Sequence, residues 1–169
     1  MANGLNIFMV GVLIADFSAS AAAAAKRPGS NWQNFHFDGQ SFISGQPDNG
    51  LEFVAVKDGF KPQVRTQMEK IEEDKLTADN GAIVGFCYIQ RSGGKLNLGA
   101  SFQPSSRITV RISDNNRLVA TPETDNRGYF VTILPPGRYQ VSGRETVEAV
   151  IEKGKTILIP IRVGKRMVD

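Results

Sequence analysis

From Ala82 onward, apolar residues recur at every second position in short runs, and turn-forming residues separate the runs at close intervals. Ile83, Gly85, Cys87 and Ile89 alternate with Val84, Phe86, Tyr88 and Gln90. Ile108, Val110 and Ile112 alternate with Thr109 and Arg111, and Ile157, Ile159, Ile161 and Val163 keep the same period near the end of the chain. Shorter runs lie between them at 118–121, 129–134, 138–142 and 147–152. A period of two is the spacing of a strand with one face buried. About seven such strands, each bounded by turn residues, predict a mainly β fold, an antiparallel immunoglobulin-like sandwich.

The turn residues agree with that reading. Arg91-Ser92-Gly93-Gly94 ends the first strand, and Asp114-Asn115-Asn116 is a turn. Gly128 and Gly154 stand where a turn needs a positive φ, and Pro136-Gly137 fits the central pair of a type II turn. Pro160 lies inside the last run. A proline has no N–H to give a neighbour, so this strand is predicted to lie at a sheet edge.

Two stretches carry a family resemblance. Thr124-Asp125-Asn126-Arg127-Gly128-Tyr129-Phe130 is followed by Leu134-Pro135-Pro136-Gly137-Arg138-Tyr139-Gln140-Val141. This paired pattern resembles the hallmark of carboxypeptidase regulatory-like domains and of the related collagen-adhesin B-type repeats. The resemblance spans roughly 81–163, about half the chain. It implies a transthyretin-like (prealbumin-like) sandwich used as a spacer or binding scaffold outside the cytoplasm. It also implies folding roles: Asp125 caps its own turn, Gly128 supplies backbone freedom, and Phe130 and Tyr139 pack from adjacent strands. Leu134 plugs one end of the sandwich, and Pro136 and Gly137 reverse the chain. Adhesin repeats sometimes form a Lys–Asn isopeptide bond. Lys95, Lys153 and Lys155 with Asn97, Asn115 or Asn126 match by residue type only, and apolar residues hold the usual lysine position.

Catalysis has little to use. The chain has one histidine, His36, and one cysteine, Cys87. That excludes an intrachain disulfide, a paired-thiol redox centre and a cysteine-based zinc site. Hydroxyisourate hydrolases, which share the transthyretin-like fold, need several histidines and a Tyr-Arg-Gly-Ser tail. This chain instead ends Lys165-Arg166-Met167-Val168-Asp169. Cys87 reads as a small buried strand residue. No catalytic residue, cofactor or metal ligand is expected. Asp38, Asp48 and Asn49 lack the spacing of a calcium loop and read as turn residues. The net charge is +3 without a basic run, which argues against nucleic acid as partner.

The N-terminal half is organised differently. Residues 7–15 are a nearly unbroken apolar run, followed by Ala-x-Ala options up to Ala25. This is the layout of a secretory signal peptide over 1–25, with an uncleaved membrane anchor and a buried apolar segment as the other readings. Residues 26–80 read as an extension with short strands at 42–43 and 51–56. A helix is predicted over 62–78, where Val64, Met68, Ile71 and Lys75 follow helical spacing behind Pro62. Trp32, Phe35 and Phe37, with Tyr88, are candidate binding aromatics, either exposed for stacking on a sugar or strapped onto the next domain. Residues 81–169 form the sandwich.

The sequence thus points to a secreted or periplasmic, non-catalytic structural or interaction module of a surface or envelope assembly, with protein or glycan as partner. The other functions in view are a carbohydrate- or ligand-binding module and a subunit docked into a larger complex or filament by strand addition. A membrane association is expected only if the N-terminal segment stays uncleaved.

Overall fold

The computed structural model describes residues 31–47, 50–66, 71–93 and 101–168. The signal-like segment at 1–25 lies outside them. Among the described residues, twelve strands form three sheets. The first sheet contains β1 (Gln33–Phe37), β2 (Phe42–Ser44), β3 (Phe53–Val56) and β4 (Gln63–Arg65) in the antiparallel order β2-β1-β3-β4. The middle sheet is built on β5 (Gly81–Gly93), with β12 (Thr156–Val168) along one edge. Its other edge is shared by β9 (Tyr129–Leu134) and β6 (Ser101–Pro104). The third sheet runs β11-β10-β7-β8, from β11 (Thr146–Ile151), β10 (Gly137–Ser142), β7 (Arg111–Asp114) and β8 (Arg117–Ala120).

Two cores separate these layers, and β5 belongs to both. Ile83 and Cys87 face the third sheet and pack with Val110, Ile112, Phe130, Val141 and Ile161. Val84 and Phe86 point the other way and pack with Tyr129 and with Phe37 and Val54 of the first sheet. A strand covered on both faces needs apolar residues at both parities. The run Ala82-Ile83-Val84-Gly85-Phe86-Cys87 meets that need, and each of these residues is buried. Strands β5 to β12 make the sandwich, and the first sheet adds a third layer on one face. That layer covers the face only in part, since Val131, two residues beyond Tyr129 on the same side of β9, stays exposed.

Four expectations need correction. The helix over 62–78 is not formed in the described residues. Val64 instead pairs with Val54 in the first sheet, and residues 67–70 lie outside the described part. Farther on, Leu76 donates its N–H to the Gly59 carbonyl, Lys61 donates to the Asp74 carbonyl, and Phe60 bridges to Lys75. Helices in proteins draw most of their stability from tertiary packing, so the packing of half-buried Val64 against the second core and these cross-chain hydrogen bonds override the periodicity. In the same stretch Glu73 and Asp74 pair with Lys57 and Lys61 at 2.8 and 2.9 Å.

The sandwich is also not wholly antiparallel. β12 runs parallel to β5, because the chain between them acts as one long crossover, which a parallel pair requires. The first sandwich strand does not stop at Arg91; it continues to Gly93 because β6 and β12 pair with it from both sides. β6 escaped notice because Phe102 is its sole apolar residue apart from its terminal Pro104. Finally, Gly137 does not take the positive φ of a type II turn but opens β10. The ring of Tyr139 sits over it instead, 3.3 Å from where a Cβ would stand. β12 does lie at an edge, and Pro160 is accommodated there beside Phe86.

Candidate functional site

The residues that carry the family resemblance build turns. The Asp125 carboxylate accepts the N–H of Arg127 and of Tyr129 through Oδ1, at 2.9 and 2.8 Å. Its Oδ2 meets the Arg127 side chain at 3.2 Å. The Asp125 N–H donates to the Tyr129 carbonyl at 2.7 Å, and the Gly128 N–H donates to the Asp125 carbonyl at 3.1 Å. Gly128 closes this loop at φ 84°. Thr124, buried just before it, donates its hydroxyl to the Ser105 carbonyl and accepts the Ile108 N–H, both at 2.9 Å. Phe130, Leu134 and Tyr139 are buried in the sandwich core, and the Tyr139 hydroxyl donates to the Pro135 carbonyl at 2.9 Å. Pro136 is exposed between β9 and β10. These groups are consumed by one another, which leaves no open reactive group in the motif.

The lone cysteine is equally occupied. Cys87 is fully buried and marks the point where the edge of β5 passes from β9 to β6. Its N–H donates to the Gly128 carbonyl and its carbonyl accepts from Ser105, both at 2.8 Å. Burial pushes the thiol up to about 12. Iodoacetamide is therefore expected to leave Cys87 unmodified in the folded protein at pH 8 and to alkylate it fully in denaturant, read by intact mass. Equal rates in both states would overturn its placement. The isopeptide candidates are dispersed: Lys95 and Asn97 lie outside the described residues, while Lys153 and Lys155 form ion pairs with Asp79 and Asp58.

The four candidate aromatics do not form one exposed platform, and Phe37 is strapped onto the next domain. Phe37 is buried, and Tyr88 is half-buried with its ring centroid 4.6 Å from that of Phe37. Phe35 is half-buried on β1. Trp32 joins a different group, 6.0 Å from Phe60, with the Lys57 ammonium 4.1 Å from the centre of the Phe60 ring. Most of this aromatic surface binds the first sheet to the middle one, a pull of roughly 1.5–3 kcal/mol for each large apolar side chain fully buried.

The packing leaves a cleft of about 350 Å³ where the two sheets diverge. Phe37, Phe86, Phe102 and Tyr129 line its depth. Phe102 stands at 75° to Phe37 and at 88° to Phe86, so the rings form angled walls. Pro47, Leu51 and Pro104 form an apolar rim, and Leu51 is about half exposed, at 49%. Among the described residues the polar lining is His36, Asp38, Glu52 and Ser101, with two carboxyl groups and no lysine or arginine. Asp38 accepts the N–H of Ser41 and of Gln40, each at 2.8 Å, and these bonds hold its carboxyl below the usual range. His36 donates Nδ1–H to the Gly45 carbonyl at 3.1 Å, the one role a carbonyl partner permits. Burial, with the Glu52 and Asp125 carboxylates nearby, pushes the Tyr129 phenol well above its ordinary value. Sequence reasoning found Phe37 but not Phe86 and Tyr129, which read only as strand residues, nor Phe102, which was not assigned to any strand. The cleft exists only once the first sheet docks.

Fold and site together define a mainly β protein of three packed sheets with an aromatic cleft between two of them. No protein-family model matches the chain, and no curated protein matches it. Among solved structures it is similar to GBS52, the minor pilin of the Gram-positive pathogen Streptococcus agalactiae. The likeness has 16% sequence identity and a TM-score of 0.39, and it covers 77% of this chain and 66% of that one, just under two thirds of the pilin chain.

Proposed function

We propose that this chain is a non-catalytic binding module that works outside the cytoplasm, as part of a surface or envelope assembly, and that the aromatic cleft is its recognition surface. The cleft carries the reading. It is concave and mainly apolar with a few converging polar groups, the ordinary make-up of a binding site. The apolar run before the Ala-x-Ala options supports export, and the resemblance to carboxypeptidase regulatory-like domains supports a scaffold role. Against catalysis stand the buried Cys87 and the turn-bound Asp125.

Strand addition through β12 is the second reading, because β12 pairs with β5 on one side and no described strand pairs along its other edge. One experiment separates the two. A photo-crosslinking amino acid is placed at Leu51, at Lys165 on β12, or at the exposed Val150 on β11, in the full chain in its native cells. Crosslinks to one partner from position 51 alone are expected. Crosslinks from 165 alone would transfer the role to the β12 edge, and equal yield from 150 would overturn both readings.

A further inference from the structure

A strand left open at a sheet edge invites pairing with another chain, and folds guard such edges with shortness, charge or proline. The described edge strands are guarded in these ways, with one exception. β2 and β4 are three residues long, β6 ends on Pro104, β8 carries Arg117 and β11 carries Glu148. In β12 the guard is Pro160. Ala82 donates to the Lys155 carbonyl, and successive residues of a strand turn their backbone polar groups to opposite sides. Pro160 therefore addresses the open side of β12 and offers no N–H there. The exception is β9, Tyr-Phe-Val-Thr-Ile-Leu, which has neither charge nor proline and pairs, among the described residues, with β5 alone. Its open groups follow from the same alternation. Cys87 donates to the Gly128 carbonyl, so Phe130, Thr132 and Leu134 turn toward β5. Tyr129 turns away, and Asp125 occupies both its N–H and its carbonyl. The N–H and carbonyl of Val131 and of Ile133 also turn away, and nothing among the described residues bonds to them. Val131 is 42% exposed and lines a groove of about 350 Å³ with Val64, Glu123 and Asp125.

We propose that the open side of β9 accepts one extended segment of a partner protein, added antiparallel at Val131 and Ile133, with a basic residue at its C-terminal end. This is a second contact surface, beyond the aromatic cleft. Antiparallel pairing is the more stable kind, and four backbone groups on two alternate residues suit it. The added strand is short, because Asp125 closes the edge at Tyr129 and the chain leaves the sheet at Pro135. A second copy meeting β9 edge-on would pair over the same few residues, short of the roughly 1,000 Å² that a stable dimer buries. A flexible segment needs no more than this contact. Charge sets its end. An antiparallel arrival brings the C-terminal end beside Asp125 and Glu123. Arg127 already pairs with Asp125 at 3.2 Å, whereas Glu123 is exposed and has no described cation beside it. Val64 and Val131 give the segment an apolar wall on the side of the first sheet.

The full chain is titrated with the capped peptide Val-Thr-Val-Thr-Val-Arg, built from strand-forming residues, and followed by backbone amide NMR. Saturable shifts centred on residues 123 and 131–134 are expected, with slowed hydrogen exchange at the Val131 and Ile133 amides. A copy N-methylated at its five strand residues keeps the side chains but loses the donors, and should bind about tenfold more weakly or worse. A copy ending in glutamate should bind about threefold more weakly than the arginine peptide, and Glu123→Gln should abolish that difference. Val131→Pro removes an N–H that β5 does not use and should abolish binding. Val131→Lys, at the same exposed position, adds the missing guard and should weaken binding severalfold while the melting temperature shows that the fold persists. Equal binding by the N-methylated peptide would overturn the proposal, as would no saturation by about 5 mM peptide, or shifts centred on β12 or the aromatic cleft. Slow exchange at Val131 and Ile133 before any peptide is added would overturn it too. Sedimentation then assigns the edge to a second copy if the protein is a dimer, and to another segment of its own chain if it is a monomer.

Discussion

Replacing Gly85 by alanine is expected to lower the melting temperature by on the order of 10 °C. Gly85 sits directly opposite Phe130 in the β5–β9 pair, and the Phe130 ring lies across it. An added Cβ would overlap that ring, which is itself buried in the sandwich core. Gly85 weakens its strand by offering no side chain to pack, and the Phe130 ring fills the space it leaves. Overpacking a tight core costs about 1–3 kcal/mol and sometimes more, and this overlap belongs at the upper end. A chain of this size loses roughly 2–4 °C for each kcal/mol. Phe130→Leu in the same chain should recover part of the loss, so the double variant melts above the sum of the two single effects. Calorimetry on the four proteins measures this. A Gly85→Ala protein melting within about 2 °C of the parent would show that the ring is not held there.

The second large effect is expected at Gly128. Alanine there must hold φ near 84°, which costs about 1–2 kcal/mol for an L-residue. Its Cβ would also press 2.8 Å from the Cys87 carbonyl oxygen and 3.1 Å from the Ser105 nitrogen. Those two atoms form the hydrogen bond that closes the C-terminal end of β6 on the edge of β5. Gly128→Ala should therefore destabilise by about 3 kcal/mol, combining backbone strain with this steric contact. It should also speed hydrogen exchange at the Ser105 and Cys87 amides well beyond the exchange seen on β10 and β11. Uniform acceleration across all strands would contradict a local role for Gly128 at this junction.

These two positions show what could be read from the chain. Gly128 was legible, because a glycine after Asp-Asn-Arg before a β-branched and aromatic run is turn chemistry acting locally. The strands β9 to β12 were legible within a residue or so at most ends, since their alternation reports a buried face that is present whatever lies beyond it. The packing role of Gly85 was not legible, because it depends on a ring 45 positions away in the chain, at Phe130. The double burial of β5 was visible only indirectly. Val84, Phe86 and Tyr88 are as apolar as the residues they alternate with, and such a run signals two covered faces. In the first sheet β2 and β3 were anticipated at 42–43 and 51–56, but β1 and β4 were not, because strands of three to five residues are too short for periodicity to speak. Val64 kept helical spacing by coincidence, and long-range pairing with Val54 decided its conformation. The cleft could not be read at all, since its four rings come from four strands in two sheets.

The parallel pairing of β5 with β12 also sets an order of assembly. Hairpins such as β7–β8 and β10–β11 join near neighbours in the chain and close quickly, whereas Ala82 must wait for Thr156. Both apolar faces of β5 stay incompletely covered until that late partner arrives. For a chain exported as proposed, the strand that completes the fold is the last of the described strands to leave a translocation channel. Premature closure in the cytoplasm would then be delayed by topology itself, and loss of 156–163 would leave a soft, sticky intermediate in place of a slightly shorter protein.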